Sequence, residues 1–266
     1  MKLKKQKSAG AKTDKKKMVL SDQLPWSIQE AYKVLRTNIL LSLPGEGSRV
    51  IAVTSAFASD GKTTNAVNTA ISMGKLGKKV LLIDCDMRKP SVDSMLGVSP
   101  IPGLSDTLAG LNKDNDFLQH VPEIGIDVIS AGNIPPDPTL LLQGKEMEKL
   151  LQVVRKYYDY IFLDFPPVTT VTDAVLLADY VDGYLIVVRH DRTDYRAIVD
   201  TVEQLRFAKA NIIGFIYNDY SLENKKYSYG SYGYGKYRSR GYGYGYGYGY
   251  GYGTGERQNG DGSGDH

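Results

Sequence analysis

Six apolar runs rich in β-branched residues punctuate the chain: Val50–Thr54, Val80–Asp84, Ile126–Ser130, Tyr160–Asp164, Gly183–Arg189 and Asn211–Asn218. Most are continuous rather than alternating, so they read as strands buried on both faces. Helical spacing fills the gaps over Ile28–Leu41, Asn65–Leu76, Leu140–Tyr158, Asp173–Ala178 and Asp194–Ala208. In the first helix Ile28, Ala31, Leu35 and Ile39 supply the inward stripe, and Glu30, Lys33 and Arg36, three apart, fall roughly on one face. Pro44–Gly47 reads as a turn, residues 91–125 as a connecting region and Asn133–Pro138 as a rigid loop. Strands alternating with helices predict an α/β fold: a mostly parallel sheet covered on both faces, with its working edge at the strands' C-terminal ends.

Composition divides the chain in three. Residues 1–17 hold eight lysines and one aspartate. Residues 18–220 hold 19 basic and 25 acidic residues, so the body is acidic although the whole chain is formally +3. From Tyr227 to Gly253 no aliphatic residue occurs, and eleven tyrosines stand mostly in alternation with glycine: Tyr227, Tyr229, Tyr232, Tyr234, Tyr237, Tyr242, Tyr244, Tyr246, Tyr248, Tyr250 and Tyr252. Glycine at every second position makes ordering entropically costly. The expected organisation is a disordered basic arm over 1–24, a folded domain over 25–220 and a disordered tail over 221–266. Cys85 is the single cysteine, which excludes a disulfide framework or a cysteine-based metal site within one chain. No apolar run approaches the ~20 residues of a membrane span.

The chemistry concentrates where strand Val50–Thr54 gives way to helix. Ser59-Asp60-Gly61-Lys62-Thr63-Thr64 ends a phosphate-binding loop. A helix N-terminus offers unpaired N–H groups to phosphate oxygens, Lys62 reaches the terminal phosphates, and the Thr63 hydroxyl holds Mg²⁺. The loop is degenerate, because Ala56 stands where the usual pattern begins with glycine. Three carboxylates support it. Asp164 closes the apolar run 160–164, the usual place for a metal-organising aspartate, and Asp84 and Asp86 follow the run 80–84 at i and i+2, on one side of a strand. Alternation sends Cys85 to the opposite side, into the core.

These residues resemble a family. Glu30–Asn38, the loop at Ala58–Thr64, the segment Leu81–Pro90, the segment Ile161–Pro167 and the tyrosine cluster together resemble the bacterial tyrosine kinases, in particular the stand-alone CpsD-like kinases of capsule and exopolysaccharide systems. The resemblance implies a P-loop NTPase of the MinD/ParA type that uses ATP and Mg²⁺ to phosphorylate its own tail between subunits. It implies Lys62 on the phosphates, Thr63, Asp86 and Asp164 at the metal, Thr64 towards the α-phosphate, and Asp84 taking the proton of the tyrosine hydroxyl. It implies ring contacts through Glu30, Lys33 and Arg36, with Lys33 replacing an arginine of the pattern. It further implies a membrane-anchored adaptor of the polysaccharide co-polymerase type, a cognate tyrosine phosphatase, and a cytoplasmic protein recruited to the membrane's inner face through a partner. Four further positions depart from the pattern: Ala58-Ser59-Asp60 for Pro-Gly-Glu, and Phe165 for a hydroxyl residue. Two rivals remain. A MinD/ParA ATPase switch would carry a signature lysine where Phe57 stands, and a nucleic-acid-binding module would leave the carboxylates unexplained, so no nucleic acid is expected.

Overall fold

In the computed structural model, residues 18–112 and 116–220 are described. The expectations for the lysine arm over 1–17 and for the tyrosine tail, including its eleven candidate acceptors, lie outside these residues. Among the described residues seven strands form one sheet: β1 (Arg49–Ser55), β2 (Val80–Asp84), β3 (Leu118–Val121), β4 (Ile126–Ile129), β5 (Tyr160–Asp164), β6 (Gly183–Arg189) and β7 (Ile212–Asn218). Their spatial order is β3-β4-β2-β5-β1-β6-β7. Every pairing is parallel except β3 with β4. The expected parallel sheet is therefore present, with an antiparallel edge strand arising from the connecting region.

Alternate residues of the central strands feed two cores. Val50, Ala52, Leu81, Ile83, Ile161 and Leu163 face helices α4 (Leu104–Leu108), α5 (Pro138–Gln143), α6 (Lys145–Val154), α7 (Asp173–Leu176) and α8 (Tyr195–Phe207). Ile51, Val53, Val80, Leu82 and Phe162 face α1 (Trp26–Ser42), α2 (Lys62–Gly74) and α3 (Val92–Leu96). Buried on both sides, the strands need no polar face, which is why their sequences run continuously apolar.

Three features of the fold add to the expectation or differ from it. The segment expected to be mostly helix over 140–158 is so, but in two pieces, because Gly144 adopts an extended backbone (φ −67°, ψ 153°) that ends α5 and opens α6. Asp137 starts α5 by accepting from the N–H groups of Thr139 and Leu140, with Pro138 at the first helical position. The body also begins before residue 25. Leu20 is buried, and its N–H donates to Asn68 Oδ1 at 2.8 Å, while Asn68 Nδ2 donates to the Met18 carbonyl at 2.9 Å.

The third difference concerns the face of α1. Its fully buried residues are Tyr32 and Ile39, with Leu35 half-buried, whereas Ile28 is 40% exposed and Ala31 is exposed. Steps of three along a helix drift by about 60° each. Glu30 and Lys33 accordingly pair with each other at 3.1 Å on the exposed side, while Arg36 turns inward and donates to the Ser72 carbonyl of α2 at 3.0 Å. The three charges do not share one free face.

Candidate active site

The C-terminal ends of β1, β2, β5, β6 and β7 open into a cleft of about 1100 Å³ whose lining includes Ser59, Gly61, Lys62, Thr63, Thr64 and Asp86. The cleft lies at the edge expected for an open α/β sheet. α2 starts at Lys62, earlier than the predicted Asn65, so the N–H groups of Lys62, Thr63 and Thr64 belong to its first turn and lack helical partners. Gly61 precedes it at φ 97°, a left-handed conformation that suits glycine. A Cβ there would also lie 2.1 Å from Asn218 Nδ2, so the position has no room for a side chain.

Lys62 Nζ donates to Asp86 Oδ2 at 2.9 Å and lies 3.6 Å from Asp164 Oδ1. The second distance is electrostatic contact without a hydrogen bond. The Thr63 hydroxyl donates to Asp164 Oδ2 at 2.6 Å and accepts from Ser91 Oγ at 3.1 Å. Burial works against the ammonium of Lys62, but Asp164 and Asp86 outweigh it and hold the group above its ordinary value. Asp164 is wholly buried, and its carboxyl is held above the usual range by that burial and by the charge of Asp86, against the opposing pull of Lys62 and Thr63.

Asp84 and Asp164 are register partners on the adjacent strands β2 and β5. Asp84 is fully buried and accepts three backbone N–H bonds, from Asp86 (3.0 Å), Ser91 (3.1 Å) and Val92 (3.1 Å). It thereby shapes the turn that presents Asp86. Burial first, then the charge of Asp164, push its carboxyl up to about 7. The residues expected at i and i+2 are thus unequal: Asp86 lines the cleft, and Asp84 stands behind it. Cys85 points into the core as expected, and burial together with Asp84 pushes its thiol up, which makes a thiolate unfavourable.

Asp60 also lies behind the loop. Its carboxylate is buried and accepts from the Phe57 N–H at 3.0 Å, so its contribution to the cleft is its backbone. Phe165 packs in the core, and the following Pro166 carbonyl accepts from Thr54 Oγ1 at 2.8 Å.

Several residues that shape the site gave no local signal in the sequence. Asn65 Nδ2 donates to the Gly61 carbonyl at 3.0 Å, and its Oδ1 accepts from Tyr32 of α1 at 3.1 Å. Asn218 at the end of β7 donates to the Asp60 carbonyl at 2.8 Å. Arg88 Nε lies 3.4 Å from the buried Asp173, and its Nη2 donates to Thr139 Oγ1 at 3.0 Å, fixing the loop that carries Asp86. The lysine and arginine positions were visible in sequence, but their partners lie tens of residues away.

The arrangement fits a magnesium nucleotide. Asp164 Oδ1 is a buried acceptor without a hydrogen-bond partner, beside the Thr63 hydroxyl and an ammonium that is already fixed. Among the described residues no group of three or more His, Cys, Asp or Glu could hold a metal unaided. A cation here would draw its remaining ligands from phosphate oxygens and water, as Mg²⁺ does.

Comparison with known proteins agrees. A ParA family profile, described as NUBPL iron-transfer P-loop NTPase, matches residues 46–240. Tyrosine-protein kinase YwqD of Bacillus subtilis (strain 168) is 34% identical over 204 residues, which cover 77% of this chain and 86% of that one. Tyrosine-protein kinase CpsD of Streptococcus pneumoniae serotype 4 is 36% identical over 203 residues, covering 75% and 87%. The chain belongs to the bacterial tyrosine-protein kinases, within the ParA family of P-loop NTPases. Among solved structures the kinase domain of Escherichia coli tyrosine kinase ETK superposes with a TM-score of 0.68 at 31% identity, covering 76% of this chain and 80% of that one. The reading as an ATPase switch without kinase activity gives way to a tyrosine kinase. Iron transfer, named in the profile's description, has no cysteine pair in this chain to support it.

Proposed function

We propose that this kinase transfers the γ-phosphoryl group of Mg-ATP to tyrosines of its own C-terminal cluster, from one subunit to the next, in the control of capsular or extracellular polysaccharide synthesis. The observation that carries the reading is Lys62 held between Asp86 and Asp164, with Thr63 bonded to Asp164, where Lys62, Thr63 and Asp86 line the cleft.

Lys62 exchanges its carboxylate partners for the terminal phosphates, while the free N–H groups of residues 62–64 bind phosphate oxygens and Thr64 faces the α-phosphate. Thr63, Asp86 and Asp164 are the residues that would hold Mg²⁺, and the ion would supply positive charge beside the phosphate oxygens. Asp84 accepts the tyrosine proton. A carboxyl near 7 suits a base working near neutral pH, but reaching the hydroxyl requires the turn at Ser91–Val92 to release it. A second assignment rests on Asp86, the carboxylate that already lines the cleft. Measuring transfer and nucleotide binding in Asp84→Asn and Asp86→Asn separates them: the base variant keeps nucleotide binding and loses transfer.

The tail supports the acceptor assignment. Its alternating tyrosine and glycine gives phenols with little steric hindrance on a chain long enough to visit a neighbour's cleft. The outer face of α1 supports the homo-oligomer, a ring in the resembled family. Trp26, Val34 and Leu41 are 73%, 53% and 74% exposed and flank the Glu30–Lys33 pair, an apolar face of the kind that marks a contact surface. Arg36 contributes through its hold on α2. Among the described residues no helix is long and apolar enough to cross a membrane. In this reading a membrane-anchored adaptor of the polysaccharide co-polymerase type recruits the kinase to the inner face of the membrane, and a cognate tyrosine phosphatase reverses the modification.

Mixing tests the transfer between subunits. A Lys62→Met chain with its tail intact is combined with a chain that keeps Lys62 but carries Phe at the eleven tail tyrosines. Phosphotyrosine on the Lys62→Met chain supports the reading. A wild-type chain that labels itself while the mixture stays unlabelled refutes it.

A further inference from the structure

Position 59 is a serine in a left-handed backbone conformation, with φ 69°. A side chain at such a φ is unfavourable, and a glycine would adopt it freely. Ser59 immediately precedes Asp60-Gly61 in the loop whose N–H groups face the cleft, so any relaxation of Ser59 turns those groups away from a bound phosphate.

Three consecutive carbonyls of this loop are each held by a side chain from a different element. Gly61 accepts from Asn65 of α2, Asp60 from Asn218 of β7, and Ser59 from Arg189 of β6, whose Nη1 donates at 3.0 Å. With their carbonyls fixed outward, the loop's N–H groups are left for the cleft. Arg189 is itself fixed, because its Nε and Nη2 both donate to Asp219 Oδ2, at 3.0 and 2.7 Å. The guanidinium is about a third exposed and the carboxylate more than half. An isolated pair this exposed adds little to stability, so its value lies in orienting the third donor towards Ser59.

We propose that Arg189 is a positioning residue for nucleotide binding: held by Asp219, it clamps the Ser59 carbonyl and maintains the left-handed conformation that a glycine would take unaided. The proposal rests on the reading of the cleft as the nucleotide site.

The test is a double-mutant cycle in the full chain, read by binding of a fluorescent ADP with Mg²⁺ and by the thermal midpoint without nucleotide. Arg189→Ala is expected to weaken binding about tenfold, the scale of one strained residue, and Asp219→Asn two- to threefold. Ser59→Gly removes the side chain that makes this φ unfavourable, so the Ser59→Gly/Arg189→Ala chain should fall within about twofold of Ser59→Gly alone, whatever the affinity of Ser59→Gly itself. Unchanged binding in Arg189→Ala overturns the proposal. So does a loss that Ser59→Gly fails to rescue, because Arg189 would then act on the nucleotide directly. A wild type that binds no nucleotide overturns the nucleotide site instead, and the thermal midpoints still judge the clamp: non-additive shifts at 59 and 189 support it, and additive shifts refute it.

Discussion

Replacing Tyr32 by Phe isolates the link between α1 and the phosphate loop. The Tyr32 hydroxyl is buried, donates to Asn65 Oδ1 at 3.1 Å and accepts from Asn68 Nδ2 at 3.2 Å. Phe fills the same space without the oxygen. Asn68 Nδ2 keeps the Met18 carbonyl, but Asn65, 3% exposed, loses the partner of its Oδ1. One buried acceptor left unpaired costs about 1–3 kcal/mol. A body of this size shifts its midpoint by roughly 2–4 °C per kcal/mol. Differential scanning calorimetry should therefore show Tyr32→Phe melting about 2–12 °C below wild type. Because the same Asn65 holds the Gly61 carbonyl, nucleotide affinity should fall as well. An unchanged midpoint together with unchanged nucleotide affinity would show that the Tyr32–Asn65–Gly61 chain of bonds does not support the loop.

Other outcomes follow from the same geometry. Asp84 binds its proton more tightly folded than unfolded, since its carboxyl is raised from 3.8 to about 7. Its stabilising contribution is full below the unfolded value and is lost as pH rises through about 7, by a few kcal/mol at most. The midpoint of the nucleotide-free protein should fall from pH 5 to pH 8, and Asp84→Asn should flatten that slope; an equal slope in the variant contradicts the assignment. Gly61→Ala meets both the φ of 97° and Asn218 Nδ2 at 2.1 Å, so nucleotide titration should detect at least a hundredfold weaker binding, and wild-type affinity would contradict this loop geometry. Each phosphotyrosine adds about −1.5 to −2 charges to a chain whose body is already acidic. Light scattering should therefore find smaller assemblies after phosphorylation, and identical mass distributions would refute charge-driven disassembly.

The strands at the centre of the sheet were legible in the sequence because burial on both faces writes an unbroken apolar run, as in Val80–Asp84 and Tyr160–Asp164. The loop at Gly61–Thr63 and its carboxylates were legible for a similar reason: phosphate and metal chemistry admits few residue types. Strand β3 was not, because Leu118–Val121 is an edge with two of its four residues exposed and carries no comparable pattern. The buried face of α1 departs from the stripe that its aliphatic positions suggest. The structure centres burial on Tyr32 and Ile39, where the tyrosine hydroxyl is fully used by Asn65 and Asn68. The difference between Asp84 and Asp86 was hidden for another reason. Strand alternation gives the side to which both point, but the turn at Ser91–Val92 that covers only Asp84 is tertiary. Asn218, Arg189 and Asp173 act on segments 85 to 158 residues away, a distance over which no local spacing carries information.

The central claim is that Lys62 and its carboxylates transfer phosphate to the tyrosine tail. Intact-mass spectrometry with phosphotyrosine mapping measures it directly, on wild type and Lys62→Met incubated with Mg-ATP and the cytoplasmic end of a candidate adaptor. The account predicts phosphate on residues between Tyr227 and Tyr252 in the wild type and none in Lys62→Met. Equal phosphorylation of the two chains, or wild-type phosphate confined to residues outside the tail, would contradict it.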